Sequence, residues 1–159
     1  GQMVAADLAD GMETVLTLYQ NQLKQGVEVI RDYDSLPEVP CFPDELNQVW
    51  TNLVHNALQA MGFKGRIECS VKKENDCAVV RVVDNGPGIP KEIQARIFEP
   101  FFTTKPAGEG SGLGLDICNK IVERHQGRMD MDSQPGRTEF RVTIPLIQTQ
   151  TQTQTPSES

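Results

Sequence analysis

Asn52 and Asn56 stand four residues apart in "NQVWTNLVHNALQAM", and Asp84 closes the hydrophobic run "CAVVRVVD" just before "NGPGIP". Residues four apart on a helix share a face. The two amides would therefore project together beside the apolar stripe Leu46, Val49, Leu53 and Ala57. Asparagine costs helix propensity relative to alanine, so a pair of them beside an apolar face needs partners. An amide oxygen is a hard donor that suits Mg2+ when phosphate and water complete the shell; bonds to backbone would satisfy the same pattern. Asp84 sits where a strand ends, and Gly86 and Gly88 allow a sharp reversal after it. Its carboxylate could accept from an exocyclic amine, or simply begin a turn.

A third stretch, "EPFFTTKPAGEGSGLGLDI" from Glu99 to Ile117, puts Gly108, Gly110, Gly112 and Gly114 between an aromatic anchor and a helical pattern. It is not a dinucleotide fingerprint, because no third glycine follows a Gly-x-Gly pair at the required spacing, and the chain has no Gly-Lys dipeptide for a Walker loop. Its last glycines nevertheless run into a helix start, whose N–H groups and partial positive charge suit a polyphosphate. A surface loop ending in a helix cap would read the same way. Thr138, in "PGRTEFRVTIP", offers a hydroxyl to a ligand or to a neighbouring strand.

The elements that would position these residues follow from periodicity. Val4, Leu8, Met12, Val15, Tyr19 and Leu23 predict an amphipathic helix closed by Gly26. "VEVIRDY" reads as a strand, Pro37 to Pro43 as a loop, and "DELNQVWTNLVHNALQAM" as a second helix ending at Gly62. "GRIECSVKK" and "CAVVRVVD" read as a hairpin. A short helix is expected over Lys91–Ile97, a third long one over "LGLDICNKIVERH", and two last strands near Arg128–Ser133 and Thr138–Ile144. Residues 148–159, rich in Gln and Thr, cannot bury enough apolar area to fold and predict a disordered tail after a domain of residues 1–147. The whole is expected to be an α/β two-layer sandwich, one mixed β-sheet with three main helices on one face.

Composition narrows the partners. The chain has 159 residues, 38% hydrophobic and 23% charged, with a net charge of -7. That charge argues against nucleic acid or an anionic membrane surface. No apolar run approaches the ~18 residues of a membrane span, and no signal-peptide pattern opens the chain. The four cysteines, Cys41, Cys69, Cys77 and Cys118, form no CxxC pair, and neither histidine lies within six residues of any of them. Reduced, mostly buried thiols in a cytoplasmic protein are expected rather than zinc.

Taken in order, the stretches resemble the catalytic, ATP-binding domain of the two-component sensor histidine kinases, in the superfamily shared with DNA gyrase and the mismatch-repair ATPases. "NQVWTNLVHNALQAM" is similar to the N box, "DNGPGIP" to the G1 box, "IFEPFFTTK" to the F box, "GEGSGLGL" to the G2 box and "PGRTEF" to the last glycine–threonine element. The resemblance covers about Val4 to Leu146 and implies the Bergerat-type fold, with ATP and Mg2+ as cofactors. It implies that Asp84 bonds the adenine amino group, with Gly86, Gly88, Ile89 and Thr138 shaping that pocket. Asn56 would hold the metal, and Asn52 would help orient phosphates or metal. A lid over Thr103 to Gly110, including Thr104 and Lys105, would be anchored by Phe98, Phe101 and Phe102. Lys105 would reach the terminal phosphates. Gly110, Ser111, Gly112, Leu113, Gly114 and Leu115 would meet the phosphates at the helix start.

Two departures bear on the reaction. Hydrolytic cousins carry a glutamate four residues before the metal asparagine; here Asn52 stands there, which suits transfer to a side chain better than hydrolysis. The last element reads Gly136-Arg137-Thr138, without a second glycine, as in nitrogen-regulation-type kinases. The family's acceptor is a histidine on a separate helical hairpin, usually followed by an acid. His55 precedes Asn56 and His125 precedes Gln126. His55 is expected to be a partly buried structural histidine and His125 a solvated cap interaction. The chain is thus expected to be the catalytic half of a longer kinase, cytoplasmic even if its parent is membrane-anchored, and monomeric alone. Its partners would be the dimerisation and histidine-phosphotransfer domain and a response regulator. Two alternatives share the boxes: an anti-sigma serine kinase, and a module that binds ATP only to regulate a partner.

Overall fold

Alternating apolar residues build one five-stranded sheet, in the order β2-β4-β5-β7-β6, from β2 (Val27–Tyr33), β4 (Gly65–Glu74), β5 (Cys77–Asp84), β6 (Arg128–Gln134) and β7 (Arg137–Pro145). A computed structural model of the chain describes residues 2–100, 102 and 114–148. Only β2 and β4 pair in parallel; the other neighbours are antiparallel. The β4–β5 hairpin turns at Asn75, whose φ of 56° is the left-handed region asparagine tolerates.

One face of this sheet is apolar. Ile67, Cys69 and Val71 of β4, Ala78, Val80 and Val82 of β5, and Phe140, Val142 and Ile144 of β7 all enter the core. Three helices cover them: α1 (Leu8–Leu18), α3 (Pro43–Ala60) and α5 (Leu115–Arg124), with α3 packed against both others. Trp50, Leu46, Val49 and Leu53 form the buried stripe of α3. The opposite face carries interlaced charges, among them Arg81 with Glu74 and Glu139, Arg141 with Asp132, and Lys72 with Asp32. The exposed pairs among them add little stability, whereas Glu139 is buried beneath Arg81, Arg137 and Arg141. The expected two-layer sandwich with three main helices on one face is the fold observed.

The N-terminal region differs from its expected form. Val4–Ala6 is a strand, β1, pairing antiparallel with Val39–Cys41, β3, inside the expected proline loop. The helix cannot begin earlier because Asp7 caps it, its Oδ1 accepting from the N–H groups of Ala9 (2.8 Å) and Asp10 (3.3 Å). Nor does it run unbroken: Tyr19 leaves helical geometry and a short α2 (Gln20–Lys24) follows, with Gly26 just past its C-cap as expected. The buried stripe Leu8, Met12, Val15 and Leu23 is as expected. The helix expected over Lys91–Ile97 spans only Lys91–Gln94, α4. Cys41, Cys69 and Cys118 are buried and all four thiols are free; burial pushes Cys69 and Cys118 up to about 12.

His125 is not a solvated cap. It is 0% exposed, and both ring nitrogens are used. Nε2 accepts from the N–H of Phe42 (3.0 Å), so the ring proton is on Nδ1, which donates to the carbonyl of Ile121 (2.8 Å). The Phe42 ring meets the imidazole edge-on, and the Arg124 guanidinium lies 4.3 Å from the Phe42 centroid. Phe42 is the N-cap of α3 and His125 the C-cap of α5, so the imidazole pins the start of one helix to the end of the other. The second half of α3 and the start of α5 therefore lie toward the same end of the domain. His125→Ala strands the Phe42 N–H and opens a cavity, and should cost about 2–4 kcal/mol in urea unfolding. A loss under ~1 kcal/mol, the size of an ordinary surface substitution, would contradict this reading.

Candidate functional site

At the end of α3 that follows Trp50, Asn52 and Asn56 share one face, and Asn56 Nδ2 donates to Asn52 Oδ1 (2.9 Å). Asn52 is 4% exposed and Asn56 half-buried. In this pair the Asn52 oxygen is the acceptor and the Asn56 amide nitrogen the donor. The structure holds this pair together as the sequence predicts. His55, between them, is half-buried, and its Nδ1 meets the Tyr19 hydroxyl at 3.1 Å, in keeping with a structural role.

Asp84 closes β5, 4% exposed, and pairs across the sheet with Ile67 on one side and Thr138 on the other. Its Oδ1 accepts from the N–H of Gly86 (2.9 Å). Burial pushes its carboxyl above the ordinary range, and the Gly86 bond opposes this in part. Among the described residues it has no ion pair. Gly86 abuts the end of α3: a Cβ there would meet the Ala60 carbonyl oxygen at 3.2 Å and Asp84 Oδ1 at 3.0 Å. Gly88 has a φ of +92°, and a Cβ on it would lie 2.6 Å from the Gln134 oxygen. Only glycine fits there on both counts.

Ile89 packs at the core margin, and both its backbone groups are held. Its N–H donates to Ser133 Oγ (2.8 Å), and its carbonyl accepts from Gln94 Nε2 (2.7 Å). Ser133 Oγ lies 2.7 Å from Thr138 Oγ1. Neither Ser133 nor Gln94 stands out in the sequence. Only the β6–β7 register, which sets Ser133 opposite Thr138, marks the serine.

Phe98 and Phe102 pack against the core edge around buried Ile97, and the Arg96 guanidinium lies 5.0 Å from the Phe102 centroid. Gly114 is the N-cap of α5, in extended geometry, and as a glycine has no side chain with which to cap this helix start; Asp116 lies in its first turn. Leu115 packs against the core. Phe101, Thr103, Thr104, Lys105, Gly110, Ser111, Gly112 and Leu113, with the lid expected around them, lie outside the described residues.

The candidate site thus has three parts: an amide pair on α3, a buried carboxylate on β5 whose glycine turn abuts the end of α3, and the start of α5 at Gly114. Among the described residues no cluster of three or more His, Cys, Asp or Glu side chains could hold a metal. A hard cation at the amide pair would have to take most of its ligands from a phosphate chain and water. The residues present fit Mg2+ only in company with a nucleotide. No described helix is long and apolar enough to cross a membrane.

Comparison with known proteins agrees with the geometry. Residues 42–148 match the family described as histidine kinase-, DNA gyrase B-, and HSP90-like ATPase. The sensory histidine kinase/phosphatase NtrB of Klebsiella oxytoca is 36% identical over 158 residues, covering 92% of this chain and 45% of that protein. NtrB of Rhodobacter capsulatus is 37% identical over 134 residues, covering 74% and 37%. The chain thus spans about half the length, or less, of these curated relatives. Among solved structures, the nucleotide-free catalytic domain of histidine kinase ThkA superposes with a TM-score of 0.84 at 31% identity, covering 92% of this chain and 97% of that one. ThkA in complex with the response regulator TrrA gives 0.78 at 29% identity, covering 91% and 42%. The chain belongs to the histidine kinase-, DNA gyrase B-, and HSP90-like ATPase family, and within it is the ATP-binding domain of a two-component sensor histidine kinase.

Proposed function

We propose that this domain binds Mg–ATP and donates the γ-phosphoryl group to a histidine on a separate dimerisation and phosphoacceptor domain, for relay to a response regulator in the cytoplasm. The observation that carries the nucleotide reading is Asp84. A buried carboxylate with one amide donor and no ion pair among the described residues calls for a further donor, and the adenine amino group is one. Thr138 stands beside it, and Gly86 and Gly88 let the loop close around the base. Asn56 would give its oxygen to Mg2+, with Asn52 holding the amide in orientation. Mg2+ would neutralise charge on the phosphates as the phosphoryl group moves. The start of α5 at Gly114 would receive the phosphate oxygens, and Lys105 within a lid over Thr103 to Gly110 would complete their charge compensation. Asn52 stands in place of a carboxylate, so that position offers no general base to water and transfer to a side chain is favoured over hydrolysis.

Asn56→Ala tests the metal assignment. Removing the ligand oxygen should erase most of the gain in ATP affinity that Mg2+ confers, about tenfold, while leaving metal-free nucleotide binding within a factor of two. Titration calorimetry with and without Mg2+ reads both. An undiminished Mg2+ effect would remove Asn56 from the site. Transfer to a serine of a separate protein remains the competing reaction, because the same nucleotide site would serve it; acid-labile label distinguishes phosphohistidine from phosphoserine.

A further inference from the structure

We propose that Ser133 is a specificity-determining positioning residue: it fixes the direction of the Thr138 hydroxyl and so makes the pocket beside Asp84 read adenine rather than guanine. The inference rests on the reading of Asp84 and Thr138 as the base pocket.

Ser133, Thr138 and Asp84 are register partners on β6, β7 and β5, forming one row across three strands. Directly opposed residues point to the same face. Here that is the helix-covered face, because Asp84 also pairs with the core residue Ile67. At the far end of the row the Ile89 N–H donates to Ser133 Oγ at 2.8 Å, and Ser133 Oγ lies 2.7 Å from Thr138 Oγ1. A backbone amide only donates, and each hydroxyl has one proton to give. The 2.7 Å contact allows either hydroxyl to donate; accepting from Ile89 polarises the Ser133 hydroxyl and favours its proton on Thr138. Thr138 then keeps its own proton for a ligand atom seated beside Asp84, its register partner. An ionised carboxylate only accepts, so the pocket edge sets an acceptor, Asp84, beside a donor, Thr138.

This order matters to a purine. Adenine presents an amino donor beside a ring-nitrogen acceptor; guanine presents a carbonyl acceptor beside a ring N–H donor. A carboxylate next to a hydroxyl that donates matches adenine and opposes guanine at both positions. Were the Thr138 hydroxyl free to turn round, it could accept from guanine, and half of that opposition would vanish.

The head of the row is itself immobilised. Gln94 Nε2 donates to the Ile89 carbonyl at 2.7 Å, and Gly88 leaves no room between its backbone and Gln134. Ser133 therefore receives a donor whose position is set by the fold rather than by the ligand.

The test is the ratio of ATP to GTP affinity in the folded chain, measured by competition against a fluorescent adenine nucleotide. Ser133→Ala should lower the ratio about tenfold, while Ser133→Thr, which keeps the hydroxyl on a strand that suits it, should restore it to within about twofold. On a Thr138→Val background, Ser133→Ala should have no further effect on the ratio, since the hydroxyl it directs is gone. Equal losses of ATP and GTP affinity in Ser133→Ala would show a merely structural residue and overturn the proposal, as would an unchanged ratio. If Asp84→Asn leaves ATP affinity intact, the base pocket itself is misplaced and the proposal falls with it. If Asp84→Asn abolishes binding but the Ser133→Ala ratio holds, only the role of Ser133 is lost.

Discussion

Asp84→Asn is expected to weaken ATP binding about 10- to 100-fold while raising the melting temperature of the nucleotide-free domain at neutral pH. The two effects have one cause. Asp84 is buried, and burial lifts its folded pKa above the ordinary 3.8. A carboxyl with a raised folded pKa destabilises the fold when ionised: the penalty is absent below the unfolded pKa, grows as pH rises past it, and is complete above the folded pKa. Asparagine removes the charge yet keeps an oxygen for the Gly86 N–H, so the apo fold gains. It also sets an amide donor against the adenine amine in part of the space the carboxylate filled, so the ligand loses. Melts of the wild type and variant should converge as pH falls below ~4, where the wild-type carboxyl is neutral in both states. ATP affinity of the wild type should decline on acidification from a higher pH than an ordinary aspartate would give. Calorimetric titration at neutral pH showing unchanged ATP affinity in a folded Asp84→Asn domain would remove Asp84 from the base pocket.

Such a residue is legible in the sequence because its surroundings are local: a hydrophobic run, then a carboxylate, then two glycines within four positions. The amide pair on α3 is legible for the same reason, since helical spacing alone brings Asn52 and Asn56 to one face. The sheet is equally accessible, because a period of two marks β4 and β7, and a short valine-rich run marks β5. What escaped depends on contacts distant in the chain. His125 looks like an exposed helix-end residue until Phe42, remote in sequence, donates to it. Ser133 is unremarkable in "MDMDSQ" until register places it between Ile89 and Thr138. The β1–β3 pair is too short to show a period, and Pro40 within β3 argues against a strand anywhere but in a two-stranded edge pairing.

Incubated alone with γ-labelled Mg–ATP, the chain should bind nucleotide, acquire no phosphohistidine and hydrolyse ATP slowly. Phosphoryl transfer requires a nucleophile held in line with the γ-phosphate. The chain has two histidines, and the fold occupies both. His125 is fully buried with each ring nitrogen hydrogen-bonded, so no lone pair can face a phosphate without losing the latch between α3 and α5. His55 shares Nδ1 with the Tyr19 hydroxyl and is followed by Asn56, not by an acid that would draw off its proton. Adding the helical hairpin that carries the acceptor histidine of the same kinase, as a separate polypeptide, should produce label on the hairpin. The rate should rise with hairpin concentration, because two free chains lack the high effective concentration that a tether supplies. The label should be acid-labile and base-stable, as a phosphoramidate is. Asp84→Asn and Asn56→Ala should both slow the labelling, the first through the base and the second through the metal. Label on His55 or His125 of the isolated chain would contradict the structural roles assigned to them. Acid-stable label on a serine of a separate protein would move the reaction to the competing class while leaving the nucleotide site where it is.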